Sequence, residues 1–327
     1  MSLTTSEYQI IAQEYEERRL ANTKEQARRR EEVYRRLPAL AEIDEQLVHG
    51  SVSAAKLALT GNTSALDALT RTNNWLISQK KQMLTGAGYP EDYLDRRYTC
   101  PICKDTGTAD GRACICFRRA VIDRFYMDDS LRERLAKENF DAFDLSFYSN
   151  TEIDPSTGQT CRAVAEIALR DAHTFTERFG NPYRNLLLNG NTGVGKTFLT
   201  NCIAGDLLSR GYTVLYLSAF RLFEIFNYYR FGDREKSRQA SVDFDTILDC
   251  DLLIIDDLGT EMPTTYTTSQ LFTCLEERDL RRASTLISTN LTMDELGKRY
   301  SDRIASRLFT FQYIKLLGRD IRILRTF

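Results

Sequence analysis

The sequence predicts an α/β fold: a parallel sheet of about five strands with helices on both faces, preceded by a helical N-terminal part that carries a cysteine module. Two patterns lead there. After residue 161, short apolar runs (Leu186 to Leu188, Tyr212 to Leu217, Leu252 to Ile255, Thr285 to Ser288) alternate with stretches of helical periodicity. That alternation is the signature of βαβ units, whose strands are buried on both faces. Polar residues then gather directly after the runs, at the carboxyl ends of the strands, where open parallel sheets hold their ligands. Residues 1–97 have no such runs.

The chain has 327 residues, room for two domains and a small module. A net charge of −2 sets up no global field toward nucleic acid, so any such contact must come from a local patch. No run of 18 apolar residues occurs, and Met1 to Arg19 is rich in Glu without an apolar signal core. A cytoplasmic protein without membrane partners is therefore expected. In that setting the eight cysteines argue for metal ligands or thiols rather than disulfides.

Residues 4–37 alternate acids and bases, among them Arg28 to Arg30, at helical spacing. Their apolar residues are too sparse for a continuous stripe, which fits a solvated helix or a partner-binding one equally well. Pro38 is expected to start the next helix, and another spans about 64–84, with Trp75 in the core. His49 is read in a turn. Residues 1–97 thus read as a helical domain without a catalytic constellation.

Cys100, Cys103, Cys114 and Cys116 follow with C-x2-C-x10-C-x-C spacing over 98–118. Two close thiol pairs separated by a glycine-rich turn can surround one tetrahedral zinc. Reduced thiols and a redox pair are the alternatives. Four sulfurs leave no open coordination position, which makes a structural rather than a catalytic zinc the expectation. Residues 119–160 read as a linker with an amphipathic helix, and Phe140, Phe143, Phe147 and Tyr148 as core aromatics. A helix over about 161–179 opens the last domain, 161–327.

Gly190 to Thr197 spells G-x-x-x-x-G-K-T between an expected strand and an expected helix. In that context the motif is a phosphate-binding loop. Glycines let successive N–H groups converge, and the helix N-terminus adds positive partial charge. The nucleotide-binding set is Gly190, Asn191, Thr192, Gly193, Val194, Gly195, Lys196, Thr197 and Phe198. Lys196 would reach the β- and γ-phosphates of ATP, and the Thr197 hydroxyl would ligate Mg2+. Leu252-Leu-Ile-Ile-Asp256-Asp257 supplies the partner acids: Asp256 for magnesium, Asp257 to activate water. Asn290, after the next strand, could hold that water or the γ-phosphate.

Phe220 to Arg230 interleaves Arg221 and Arg230 with Phe223, Phe226, Tyr228 and Tyr229. Such a helix could stack the bases of a single strand, helped by a loop 230–238 bearing Arg234, Lys236 and Arg238. Alternatively, Leu222, Phe223 and Phe226 pack on the sheet. Arg303 and Arg307 lie four apart, on one helix face. They could form a solvated or ion-paired face, or reach a phosphate. Arg319 and Arg322 follow near the C-terminus.

Taken together, residues 98–327 resemble AAA+ ATPases of the DnaC/DnaI helicase-loader family, which is close to the IstB-type transposition ATPases. Gly190 to Thr197 resembles Walker A, Leu252 to Asp257 Walker B, and Ser288 to Asn290 sensor 1. Arg303 to Leu308 resembles the arginine-finger segment, and Gly318 to Arg322 a short sensor 2 without a full lid. The Cys100 to Cys116 stretch resembles the zinc part of Gram-positive loaders, which IstB-type proteins are not expected to have. The resemblance implies that the N-terminal region grips a replicative DNA helicase. It also implies that the ATPase domain binds single-stranded DNA and self-associates on helicase or DNA. A small-molecule kinase, a transposition ATPase and a zinc-bearing adaptor with a degenerate ATPase are the rival readings. Intact Lys196, Asp256 and Asp257 speak against the adaptor.

Overall fold

The computed structural model describes residues 5–59, 63–155 and 157–324. The chain divides into two compact units, residues 12–112 and residues 113–327 together with 1–11.

In the first unit the expected helices form. They are α1 (Thr5–Arg36), α2 (Pro38–Leu59) and α3 (Thr63–Gly86). Proline starts α2 because its missing N–H would be unbonded there in any case. Val33, Leu40, Leu84 and Leu94 form a small core. Apolar residues are sparse along α1, which fits a solvated or a partner-binding helix, yet Arg29 is buried. Its guanidinium donates to the carbonyls of Tyr93 (2.6 Å) and Asp95 (3.1 Å), and Gln26 donates to Leu94 O (2.9 Å). Polar side chains, together with Val33 against Leu94, seat this helix on residues 93–95. Two expectations fail here. Trp75 is 61 % exposed rather than core, because Leu76 and Leu84 occupy the inward face of α3. His49 lies within α2, not in a turn.

The cysteine stretch holds a two-stranded hairpin, β1 (Thr108–Ala109) with β2 (Arg112–Ala113). Next come α4 (Ile115–Phe125), α5 (Asp129–Lys137) and α6 (Cys161–Glu177). Asp128 and Thr160 cap the last two by accepting from backbone N–H groups.

The second unit is built on five parallel strands: β3 (Leu186–Asn189), β4 (Val214–Ser218), β5 (Leu252–Leu258), β6 (Ser284–Thr289) and β7 (Gln312–Lys315). Their order is β4-β5-β6-β3-β7. Successive side chains point to opposite faces. Leu253 and Ile255 therefore join one core with Phe223, Phe226 and Leu271, while Leu252 and Ile254 join the other with Ala168, Leu199 and Leu286. The crossover helices are α7 (Lys196–Ser209), α8 (Ala219–Phe231), α9 (Arg234–Asp249), α10 (Thr265–Leu280), α11 (Met293–Arg299) and α12 (Asp302–Leu308), with α13 (Ile321–Leu324) last.

Two further readings are corrected. The expected loop 230–238 is only a short break, because Asp233 caps α9 through the Lys236 N–H and the chain turns helical. The side chains of Arg234 and Arg238 lie outside the described set. The stretch 119–160 is not a free linker, since Leu131, Leu135 and Tyr148 are buried in the same core as Leu199 and Ile203. Among the described residues, no helix is long and apolar enough to cross a membrane.

Candidate functional site

The order of strands puts β3, bearing the phosphate loop, beside β6, and β6 beside β5, bearing the two acids. All are parallel, so their carboxyl ends open on one edge of the sheet. The loop turns from β3 into α7 through Gly193 (φ 79°) and Gly195 (φ 98°), left-handed conformations that a side chain would strain. A Cβ on Gly193 would also collide with the carboxylate of Asp320. The buried Lys196 ammonium donates to the carbonyls of Gly190 (2.8 Å) and Asn191 (2.9 Å). Burial lowers its pKa, while Asp257 and Asp256 act the other way. These carbonyls are uncharged partners, which an anionic phosphate can outcompete.

Asp256 is buried and hydrogen-bonded from three elements. Tyr216 donates to its Oδ2 at 2.7 Å, Thr197 to the same oxygen at 3.4 Å, and Ser288 to Oδ1. Thr197 and Asp256 therefore meet, as required if both are to serve one magnesium ion. The strand bulges here, with Ile255 opposite Ile287 but Leu258 opposite Thr289. One extra residue kinks β5 and leaves Asp257 at φ 56°, an uncommon conformation costing about 1–3 kcal/mol. Its N–H donates to Ser288 Oγ at 2.8 Å. Desolvation by the cleft walls, then the neighbouring Asp256 charge, push its carboxyl pKa up, and Lys196 and Arg322 oppose the shift.

A cleft of about 240 Å³ is lined by this loop and by aromatic side chains. Thr192, Gly193, Gly195, Lys196, Thr197 and Asp257 form its phosphate end, with Arg322 beside them. Phe143, Phe147, Tyr148 and Phe198 supply its aromatic lining, and Glu138 and Asp144 line it as well. Phe143 stacks on Tyr148 at 5.8 Å and meets Phe198 edge-on, and the Tyr148 hydroxyl donates to Val194 O at 2.9 Å. Sequence reasoning named Phe198 for nucleotide binding but missed the other aromatics of this lining. The sequence reads Phe143 and Phe147 as core, and only their aromatic character in the stretch before the phosphate loop signals a flat apolar base.

The remaining candidates are distributed unequally. Arg322 lines the cleft and is held by Asp320 through two 3.0 Å bonds. Ile321 N–H donates to Gly193 O at 2.9 Å, so the C-terminal segment is anchored on the phosphate loop. Asn290 is exposed just past β6 and is not among the lining residues, whereas Ser288 of the same strand contacts both acids. Arg303 is exposed on α12. Arg307 pairs with Glu276 (3.2 Å) and Asp279 (3.5 Å) on α10 and lies 5.3 Å from the Phe272 ring. Neither arginine lines the cleft of its own chain.

On α8, Leu222, Phe223 and Phe226 are buried against the sheet, so the packing alternative holds for them. Arg221 donates to Glu224. Phe220, Tyr229 and Phe231 remain exposed, and Arg230 lies 5.2 Å from the Tyr266 ring centre.

The sulfurs of Cys100, Cys103, Cys114 and Cys116 all lie within 4.8 Å of one another, three of the residues being buried. A tetrahedron with Zn–S bonds of about 2.3 Å has edges near 3.8 Å, so the four fit one zinc with slight closure. No cysteine of the chain is in a disulfide, which removes the simplest competing use of the thiols. Asp105, fully buried, accepts from Cys100 N (2.8 Å), Thr99 N (2.9 Å) and Asn22 Nδ2 (2.8 Å), which fixes the first cysteine knuckle.

A phosphate loop, two strand-end acids and the β4-β5-β6-β3-β7 order define an AAA+ P-loop ATPase domain. More particularly, residues 149–309 match the model of the IstB-like ATP binding protein family. Over 141 residues, 43 % of this chain, the sequence is 25 % identical to the replicative helicase loader DnaC of Escherichia coli K12, and equally to that of Shigella flexneri. The match spans only 56 % of those proteins' length. The fold is also similar to a crystal structure of DnaI (24 % identity, 60 % of this chain and 94 % of that one, TM-score 0.44). A crystal structure of the DnaC helicase loader overlaps likewise (19 %, 56 % and 99 %, TM-score 0.45).

Proposed function

We propose that the chain is an ATP-dependent loader that binds a replicative DNA helicase and single-stranded DNA and places the helicase on DNA when replication begins. One observation carries the nucleotide half of this reading: Lys196, Thr197 and Asp257 line a cleft together with Phe143, Phe147, Tyr148 and Phe198, and Thr197 is bonded to Asp256. ATP is then held with its phosphates on Gly190 to Thr197 and its base against Phe143 and Phe198. Magnesium, held by Thr197 and Asp256, would neutralise phosphate charge. Asp257 orients and takes the proton of the attacking water, its raised pKa moving it toward the range useful for a base. Arg322, and Asn290 once the cleft closes, face the γ-phosphate. Arg307, with Arg303 assisting, serves the cleft of a neighbouring protomer when copies assemble on helicase or DNA. The exposed Phe220, Tyr229 and Arg230 offer rings and charge to a single strand. Residues 1–97 hold the helicase, and the protein works in the cytoplasm.

A transposition ATPase is the second reading, favoured by the family match itself. The four-cysteine centre, read as a structural zinc, supports the loader. Pull-down of the cell's replicative helicase with the full chain, and ATP turnover with and without single-stranded DNA, separate them. No helicase capture together with capture of a transposase would overturn the loader reading.

A further inference from the structure

We propose that Tyr216 and Ser288 are positioning residues for ATP hydrolysis, two hydroxyls on the strands flanking β5 that together fix both acids of the site. The inference deepens the reading of Asp256 and Asp257 as the hydrolytic pair and rests on it.

The geometry is specific. β4 and β6 pair with β5 on either side. Ser218 of β4 is the register partner of Asp256, and Tyr216, two residues earlier, points to the same face, where its hydroxyl reaches Asp256 Oδ2 at 2.7 Å. From the other side Ser288, fully buried, donates to Oδ1. Each carboxylate oxygen thus has a donor, and the carboxylate plane is set between two strands. The bulge does the rest. It turns the Asp257 N–H out of register with β6, and the Ser288 oxygen accepts that N–H at 2.8 Å. One hydroxyl therefore links the Asp256 carboxylate to the Asp257 backbone. Moving either acid disturbs the other, and the left-handed turn that aims Asp257 at the cleft is held by the same side chain. Both hydroxyls are neutral and neither lines the cleft. Their effect reaches the chemistry only through the acids they hold. Outer partners of metal-binding carboxylates commonly change metal affinity or activity by about 10–100-fold when removed.

The test uses the full chain with Tyr216→Phe, Ser288→Ala and Ser288→Thr. Ser288→Ala should lower kcat about 10–100-fold while leaving the KM for ATP within about twofold, and Ser288→Thr, which keeps the hydroxyl, should recover most of the loss. Tyr216→Phe keeps the ring in place. It should weaken Mn2+ binding, followed by electron paramagnetic resonance with a β,γ-methylene ATP analogue, by about tenfold, with metal-free nucleotide affinity unchanged. Parent-level Mn2+ affinity in Tyr216→Phe and parent kcat in Ser288→Ala would overturn the proposal. So would equal losses in Ser288→Ala and a well-folded Ser288→Thr. Asp257→Asn separates the two levels. If it turns over at the parent rate, the hydrolytic reading itself is wrong. If it is inactive while the hydroxyl variants behave as the parent, only the clamp fails.

Discussion

The nucleotide cleft and helix α12 are both rich in charge, but they dispose of it in opposite ways. In the cleft, Lys196 rests on two carbonyls and Asp256 on hydroxyls, so these two charged groups are held by neutral partners, although Arg322 is paired with Asp320. On α12, Arg307 is already balanced by Glu276 and Asp279 and covered by Phe272. Neutral partners orient a charge without cancelling it, which leaves the cleft ready for a polyanion and a cation. Acidic partners cancel a charge, so Arg307 is committed within its own chain until something competes for it. The difference teaches that sharing a domain with a phosphate loop does not place an arginine at its phosphate.

The most severe way to break the comparison is from the cleft side. Lys196→Ala should abolish tight ATP binding and turnover, since no other buried cation lines the cleft among the described residues. Equilibrium binding of a fluorescent ATP analogue checks it, and near-parent affinity would show that the loop, not the ammonium, carries binding.

Arg307 tests the other side. If it acts on a neighbour, Arg307→Ala should bind ATP normally yet lose about 10³-fold in assembled turnover, the low end of what arginine fingers supply elsewhere. Mixing Arg307→Ala with Lys196→Ala should restore part of the rate, one protomer lending the arginine and the other the loop. An Arg307→Ala chain fully active at low concentration would leave the residue as an arginine ion-paired to Glu276 and Asp279.

What could be read in the sequence follows from the same contrast. The phosphate loop and the acid pair were legible because each is contiguous, and a parallel sheet brings their strand ends together whatever lies between. The cysteine centre was legible from spacing alone. Tyr216 and Ser288 were not, because they matter through the register between strands, which no local pattern encodes. Strand β7 hid because Gln312 and Tyr313 make a half-polar edge strand, and α9 hid because a run of polar residues masks the inward Ala240, Ile247 and Leu248. Trp75 misled because size suggested burial, whereas α3 turns Leu76 inward instead.

The cysteine centre offers a third kind of balance, four thiolates around one metal ion. Purified protein should carry about one zinc per chain, and Cys103→Ser should lose most of it by elemental analysis. ATP affinity should fall little, because none of the four cysteines lines the cleft. Full metal content in Cys103→Ser would rule out the four-sulfur site.

The smallest effect lies at the aromatic end of the cleft, where the comparison can be sharpened inside one site. The phosphate end works by charge, so its losses are large and fall on every nucleoside triphosphate alike. The aromatic end works by contact. Phe143 is half-buried, stacked on Tyr148 and edge-on to Phe198, and a base lying against it gains one more face. Base–aromatic stacking is worth about 1–3 kcal/mol by alanine substitution, and a partly exposed ring belongs at the lower limit. Phe143→Ala should therefore weaken ATP about fivefold, by roughly 1 kcal/mol, and should leave inorganic triphosphate binding untouched. Isothermal titration with both ligands separates the outcomes. Equal weakening of ATP and triphosphate would mean that Phe143 supports the phosphate loop through Tyr148 and Val194, and that the base lies elsewhere. Weakening of ATP alone would assign to the stretch before the phosphate loop a direct part in holding the nucleotide.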